Sequence, residues 1–174
     1  SLAALAESLA AAEIRLDGVV HAIAFGRMHD DDGQVLSVLE TDTARFTEAV
    51  QISAHSLATL SAAVQHQLNP GAGIVALSYA GATQVKAGYN IMGVAKAALE
   101  AEVRYLAHDL GERGIRINAV SAGPVRTLAS SAVPGFKQRL EEHAEKSLLR
   151  RNVSTDEVAN CALFLLSPAS SGMT

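Results

Sequence analysis

Two side chains in one short stretch could do chemistry together. They are the phenol of Tyr89 and the ammonium of Lys96, in Tyr89-Asn90-Ile91-Met92-Gly93-Val94-Ala95-Lys96. Seven residues make about two turns of a helix at roughly 3.6 residues per turn, so both side chains fall on one face. A rise of about 1.5 Å per residue separates them by roughly 10 Å along the axis, which leaves two long side chains able to converge on one extended ligand. A free phenol titrates near about 10 and is a poor acid at neutral pH unless a nearby cation lowers its pKa. Lys96 is expected to supply that cation and to donate hydrogen bonds to a sugar hydroxyl. Spacing alone favours the blander alternative, a helix that begins on a tyrosine and carries a solvated lysine.

The surroundings shift the balance. Tyr79 stands ten residues before Tyr89, at the end of an apolar run. Ser121-Ala122-Gly123-Pro124-Val125-Arg126-Thr127 follows the next apolar run, where Gly and Pro shape a turn. Its backbone N–H groups and the Thr127 hydroxyl could face a polar ligand, or it could be only a turn.

These groups need elements to hold them. Three apolar runs read as buried strands: Gly18 to Phe25, Gly73 to Tyr79 and Ile115 to Val120. Continuous rather than alternating apolar residues suggest strands covered on both faces, as in parallel sheets. A helical pattern from about Thr43 to Gln67 carries Phe46, Val50, Leu57, Leu60, Val64 and Leu68, with Asp42 as N-cap and Asn69-Pro70-Gly71 as its stop. A second helix is expected from about Ala87 to Leu110, with Gly111 and Gly114 at its end. A last one is expected from about Thr155 to Leu166, where Ser154 and Glu157 have capping-box spacing and Ser167-Pro168 ends it. Alternating strands and helices predict a doubly wound α/β sheet with a right-handed crossover between strands. Ligands bind such sheets beyond the carboxyl ends of the strands, where Gly26-Arg27, Ser78-Tyr79 and Ser121 to Pro124 fall.

Composition sets the frame. The chain has 174 residues, enough for one domain, with 49% apolar residues, 4% aromatic and a formal net charge of −4. With no basic block, nucleic acid and anionic membranes are not expected as main partners. Cys161 is the single cysteine, so no internal disulfide can form and a reducing, cytoplasmic compartment fits. Within Cys161-Ala162-Leu163-Phe164 it reads as plain core. No apolar stretch is long enough to span a bilayer, and no signal peptide is seen. The chain opens inside a helical pattern, Leu2-Ala3-Ala4-Leu5-Ala6-Glu7, without an initiator Met, and is expected to be a piece of something longer.

Other candidates are weaker. His29 with Asp30-Asp31-Asp32 fits no metal-ligand template, so a solvated loop is expected and no metal site is assigned. His21 reads as a core residue or one supporting a site, His55, His66, His108 and His143 are scattered, and Arg150-Arg151 reads as an exposed pair rather than a phosphate clamp.

Taken together, the motifs resemble the NADH-dependent enoyl-acyl-carrier-protein reductases, a divergent branch of the short-chain dehydrogenase/reductase family. The resemblance rests on His21-Ala22-Ile23-Ala24-Phe25, on Tyr79 with the Tyr89-x6-Lys96 pair, and on Ser121-Ala122-Gly123-Pro124-Val125-Arg126-Thr127-Leu128-Ala129. Pro134-Gly135-Phe136 and Leu149-Arg150-Arg151-Asn152 add to it, so that it covers nearly the whole chain. Commoner members of the larger family reduce ketones with Tyr-x3-Lys, but here Thr83, Gly93 and Asp109 stand four residues after Tyr79, Tyr89 and Tyr105. Mycobacterial long-chain relatives carry Phe where Tyr79 stands, so this chain resembles the general bacterial type.

The resemblance implies a Rossmann-like doubly wound parallel sheet, here incomplete. The family's Gly-rich strand–turn–helix is expected before residue 1, and its last strand just after Gly172-Met173-Thr174. It implies reduction of the trans-2 double bond of an enoyl thioester on acyl carrier protein, with NADH as the expected cofactor and NADPH left open. Tyr79, Tyr89 and Lys96 would be the catalytic residues. Ala22, Ile23, Ala24, Lys96, Val125, Arg126, Thr127, Leu128 and Ala129 would face the cofactor, and Gly26, Tyr79 and Tyr89 the substrate. Residues 128–150 would form a mobile substrate-binding loop and helix within the single domain 1–174. The assembly implied is a homotetramer. Two other readings stand beside this one: a carbonyl reductase of the same larger family, and a non-catalytic binding remnant.

Overall fold

The computed structural model describes residues 1–126 and 136–174. Its centre is a parallel sheet of three strands in the order β1-β2-β3, with β1 at Leu16–His21, β2 at Leu68–Ser78 and β3 at Arg116–Ser121. Val19, Val20 and His21 pair with Ile74, Val75 and Ala76, and those continue onto Ile117, Asn118 and Ala119. Helix α1 (Leu2–Ala11) precedes the sheet. The first crossover is a helix in three pieces: α2 (Thr43–Val50), a π-turn (Gln51–His55) and α3 (Ser56–Val64). The second is α4 (Asn90–Gly111), reached through a short 3-10 turn at Ala80–Ala82. Helices α5 (Phe136–Lys146) and α6 (Thr155–Leu166) follow β3.

The sheet is wound on both faces, because side chains alternate along each strand. Ile74, Ala76, Ile115 and Ile117 pack with Ala54, Leu57, Leu99 and Val103 from the two crossovers. Val75 and Val120 turn the other way and pack on Ala162 and Leu165 of α6. This is the doubly wound α/β arrangement expected from the apolar runs.

Several sequence signals act as read. Asp42 accepts from the Arg45 backbone N–H at 2.8 Å, and Ser154 and Glu157 complete a reciprocal capping box. Other boundaries move. β1 stops at His21, four residues short of Phe25, because pairing with β2 ends at His21–Ala76. Asn69-Pro70-Gly71 lies within the span of β2 rather than forming a separate stop, and the β1–β2 register slips between Leu16 and Gly18. The long first helix contains the π-turn, and its buried positions are Ala49, Ser53, Ala54, Leu57, Ser61 and Val64. Phe46, read as part of the apolar stripe, is exposed. Cys161 is exposed too, because α6 turns Ala162 and Leu165 to the sheet and Cys161 away from it.

Candidate active site

Tyr79 immediately follows β2 in extended backbone, and Tyr89 caps α4. Their rings meet edge to face, with centroids 4.9 Å apart and planes at 72°. That geometry is favourable between aromatic quadrupoles and fixes each ring against the other. Gly81 makes it possible: a Cβ there would fall 2.6 Å from the Tyr89 ring and 3.2 Å from the Tyr79 ring. Asn90 takes φ 30°, a left-handed value that Asn tolerates better than most residues, and its side-chain amide donates to the Leu36 carbonyl. Among the described residues neither phenol hydroxyl has a hydrogen-bond partner.

Lys96, two turns into α4, is 5% exposed, and its Nζ donates to the Leu77 carbonyl at 2.7 Å. An ammonium has three protons, and among the described residues no second acceptor reaches this one. Burial pulls its pKa below the ordinary lysine value, and Glu100 opposes that shift. Glu100 itself accepts from the Ser78 hydroxyl at 2.5 Å. His21, 1% exposed, lies behind; burial first and the charge of Lys96 second hold its pKa below the ordinary value.

Tyr89 departs from expectation. Burial, with a smaller contribution from Tyr79, pushes its pKa up to about 12. Lys96 does not lower it: its ammonium donates to the Leu77 carbonyl and makes no bond to the phenol. A neutral phenol is a hydrogen-bond donor, suited to stabilising negative charge that develops on a ligand oxygen.

The two rings border a cavity of about 730 Å³ beyond the carboxyl ends of the strands. Its wall includes Met28, Tyr79, Tyr89 and the 122–125 turn, closed by Val158 and Ala162 of α6. The volume is within the range of small-molecule sites. A larger cavity of about 1040 Å³ lies at the opposite, amino ends of the strands, around Gly71, Gly114 and Arg116. It contains none of the residues singled out for chemistry.

Of the residues assigned from sequence, Tyr79, Tyr89 and Val125 border the site cavity, and Lys96 does not line it but is buried and bonded to Leu77 of its wall. Ala22, Ile23 and Ala24 follow β1 and are exposed, Ile23 at 51%, without lining it. Arg126 is exposed. Gly26 abuts α4, since a Cβ there would fall 2.5 Å from Met92 Sδ. Thr127, Leu128 and Ala129 lie outside the described residues, as does the start of the expected 128–150 segment, whose later part includes α5. Arg150 and Arg151 are both exposed, as read, and the Arg151 guanidinium grips both oxygens of Glu157 at 2.7 and 2.6 Å. Asp30 spends one carboxylate oxygen on the backbone N–H groups of Asp32 and Gln34. Sequence reading missed Met28 and the α6 wall. A Met in a loop and a helix of small apolar residues carry no local signal for a cavity.

Comparison with known proteins adds the family. A family model described as enoyl-(acyl carrier protein) reductase matches residues 1–174. The chain is 48% identical over 160 residues to an enoyl-[acyl-carrier-protein] reductase [NADH] of Rhizobium meliloti, covering 92% of this chain and 58% of that protein. It is 46% identical to the corresponding reductase of Nostoc, again over 92% of this chain and over 61% of that one. A crystal structure of the reductase from Anaplasma phagocytophilum in complex with NAD superposes with a TM-score of 0.91 at 42% identity, covering 100% of this chain and 65% of that one. The chain therefore spans about six tenths of the length of the curated relatives it matches.

Proposed function

This chain belongs to the enoyl-(acyl carrier protein) reductase family, and from that premise we propose that the whole protein reduces the trans-2 double bond of enoyl thioesters carried on acyl carrier protein, with NADH, in fatty-acid elongation. One observation carries the reading. Two edge-to-face phenols whose hydroxyls have no partner among the described residues border a cavity at the strand carboxyl ends, with a buried lysine two turns further along α4.

The residues fit a nicotinamide cofactor. Lys96 keeps protons to spare for ribose hydroxyls, and Val125 borders the same cavity. Ala22, Ile23, Ala24 and the 126–129 stretch are assigned to the cofactor side on the family pattern. When bound, the cofactor supplies a hydride to the β-carbon of the substrate. Negative charge then moves to the thioester oxygen, and Tyr89 donates its hydrogen bond there. A preorganised donor acts most strongly where charge develops, and a phenol held neutral by burial remains a donor at working pH. Lys96 keeps the local potential positive and holds the ribose. Tyr79 positions Tyr89 and lines the substrate site; Gly26 and residues 128–150 are assigned to acyl-chain entry and closure. The relatives from Rhizobium meliloti and Nostoc are named as NADH enzymes, which supports that cofactor.

The proposed assembly is a homotetramer, which light scattering of the whole protein reads. Phe46 and Val94, exposed on the crossover helices, support it. Among the described residues no helix is long and apolar enough to cross a membrane, which accords with the proposed cytoplasmic location. The deciding assay follows NADH and NADPH oxidation with a crotonyl thioester against an acetoacetyl thioester. Faster turnover of the enoyl substrate with NADH is expected; preference for the keto substrate overturns the reading in favour of a carbonyl reductase.

A further inference from the structure

The first crossover carries two serines that no step above uses, Ser53 in its π-turn and Ser56 at the start of α3. Ser53 is fully buried, and its hydroxyl bonds twice to one residue: it accepts from the Phe25 N–H at 2.8 Å and donates to the Phe25 carbonyl at 2.8 Å. A hydroxyl is the smallest side chain that can satisfy a donor and an acceptor together. Three residues on, Ser56 lies 2.7 Å from His21 Nε2 and donates to the Ile52 carbonyl at 2.6 Å. Its single proton is committed to Ile52, so His21 must donate to it through Nε2. One helix face therefore grips both ends of the segment from His21 to Phe25. Between those ends lie Ala22, Ile23 and Ala24, exposed and past the end of β1.

A third contact ties this grip to the helix of Tyr89 and Lys96. Met92 Sδ of α4 lies 3.9 Å from the Ser53 hydroxyl and fills the space where a Cβ on Gly26 would stand. The irregular turn has a purpose on this view. An i→i+5 turn inside an α-helix changes the register of the residues beyond it, and such turns are frequent at functional sites.

We propose that Ser53 and Ser56 are positioning residues that clamp the two ends of the His21–Phe25 segment, so that Ala22, Ile23 and Ala24 meet the nicotinamide cofactor in one fixed conformation. The inference rests on the reductase reading above. It assigns the serines to cofactor binding through the backbone they hold, and not to the chemical step.

The test is made in the whole protein. Ser53→Ala is expected to speed hydrogen exchange at the Phe25 amide and to weaken NADH binding about tenfold, the scale of losing buried hydrogen bonds. At saturating NADH, kcat is expected to change by less than about twofold, because the serines touch no reacting atom. Ser56→Ala should weaken binding in the same direction, and Ser56→Thr should restore it, since threonine can make the same bond to the carbonyl four residues back. Unchanged NADH affinity in both alanine variants, with wild-type protein binding NADH, overturns the clamp and leaves the assigned reaction intact. Wild-type protein that neither binds NADH nor reduces the enoyl thioester overturns both. If Ser53→Ala fails to fold, the half-buried Ser56 pair of variants decides alone.

Discussion

At the amino ends of the strands, Arg116 is buried and donates to Leu165 O at 2.8 Å, Ser170 Oγ at 2.8 Å, Ser170 O at 3.1 Å and Ser167 O at 3.2 Å. Its charge sits at the carboxyl terminus of α6, where the helix leaves carbonyls without intrahelical donors and favours a cation. At the carboxyl ends of the same strands, Lys96 is also buried yet meets one carbonyl, and the Tyr79 and Tyr89 hydroxyls meet none among the described residues. Both ends border a sizeable cavity. What separates them is satisfaction. One end has spent its donors on the chain itself, and the other holds donors in reserve for something that is not the chain. Cavity size alone points to the amino end.

Three experiments can break or sharpen this contrast. The largest effect is expected from Tyr89→Phe. Removing one donor aimed at developing charge should lower kcat by roughly 10² to 10³-fold. Folding stability should hardly change, because among the described residues the hydroxyl has no partner to lose. A variant that unfolds easily but turns over normally when folded would reverse the assignment of that end.

Arg116→Met should do the opposite. Leaving several buried carbonyls without their donor is expected to cost about 3 kcal/mol of stability, read from denaturant midpoints. The folded fraction should keep its kcat and KM. A selective loss of activity at unchanged stability would bring the amino-end cavity into the function.

The smallest effect is a pH slope. The Tyr89 phenol titrates near the ordinary value of 10.0 when unfolded and at about 12 when folded. Between those values the unfolded chain has released the proton that the folded chain still holds, so stability falls as pH rises through that window. Denaturation curves across it should be steeper in pH for the wild-type protein than for Tyr89→Phe. Equal slopes would mean that the phenol is more open to solvent than its packing against Tyr79 suggests.

The legible parts of this molecule are those whose physics is local. The hearts of the three strands could be read because stretches such as Ile74 to Leu77 are apolar at every position. Helix α6 starts and ends as read because its cap is made by Ser154 and Glu157, three residues apart. Tyr89 and Lys96 could be placed on one helix face from their spacing. The extent of the crossover helix was visible, but its π-turn was not, and neither was the burial of Ser53 and Ser61, which look like solvent residues in a sequence. Cys161 misled for the mirror-image reason: an apolar run does not say which residue of a helix faces the sheet.

By itself, then, the sequence determined the alternation of strands and helices, the caps and the identity of the phenol–lysine pair, since each depends on neighbours within a few residues. Only the tertiary structure decided the electrostatics. Lys96 finds an acceptor at Leu77, nineteen residues away, and the Tyr89 pKa is set by burial and then by Tyr79. Ser53 finds Phe25 across twenty-eight residues, and α6 is brought from the far end of the chain to wall the cavity. A pKa depends on desolvation and on charges a few ångströms off, and both are set by residues that meet only when the sheet is assembled.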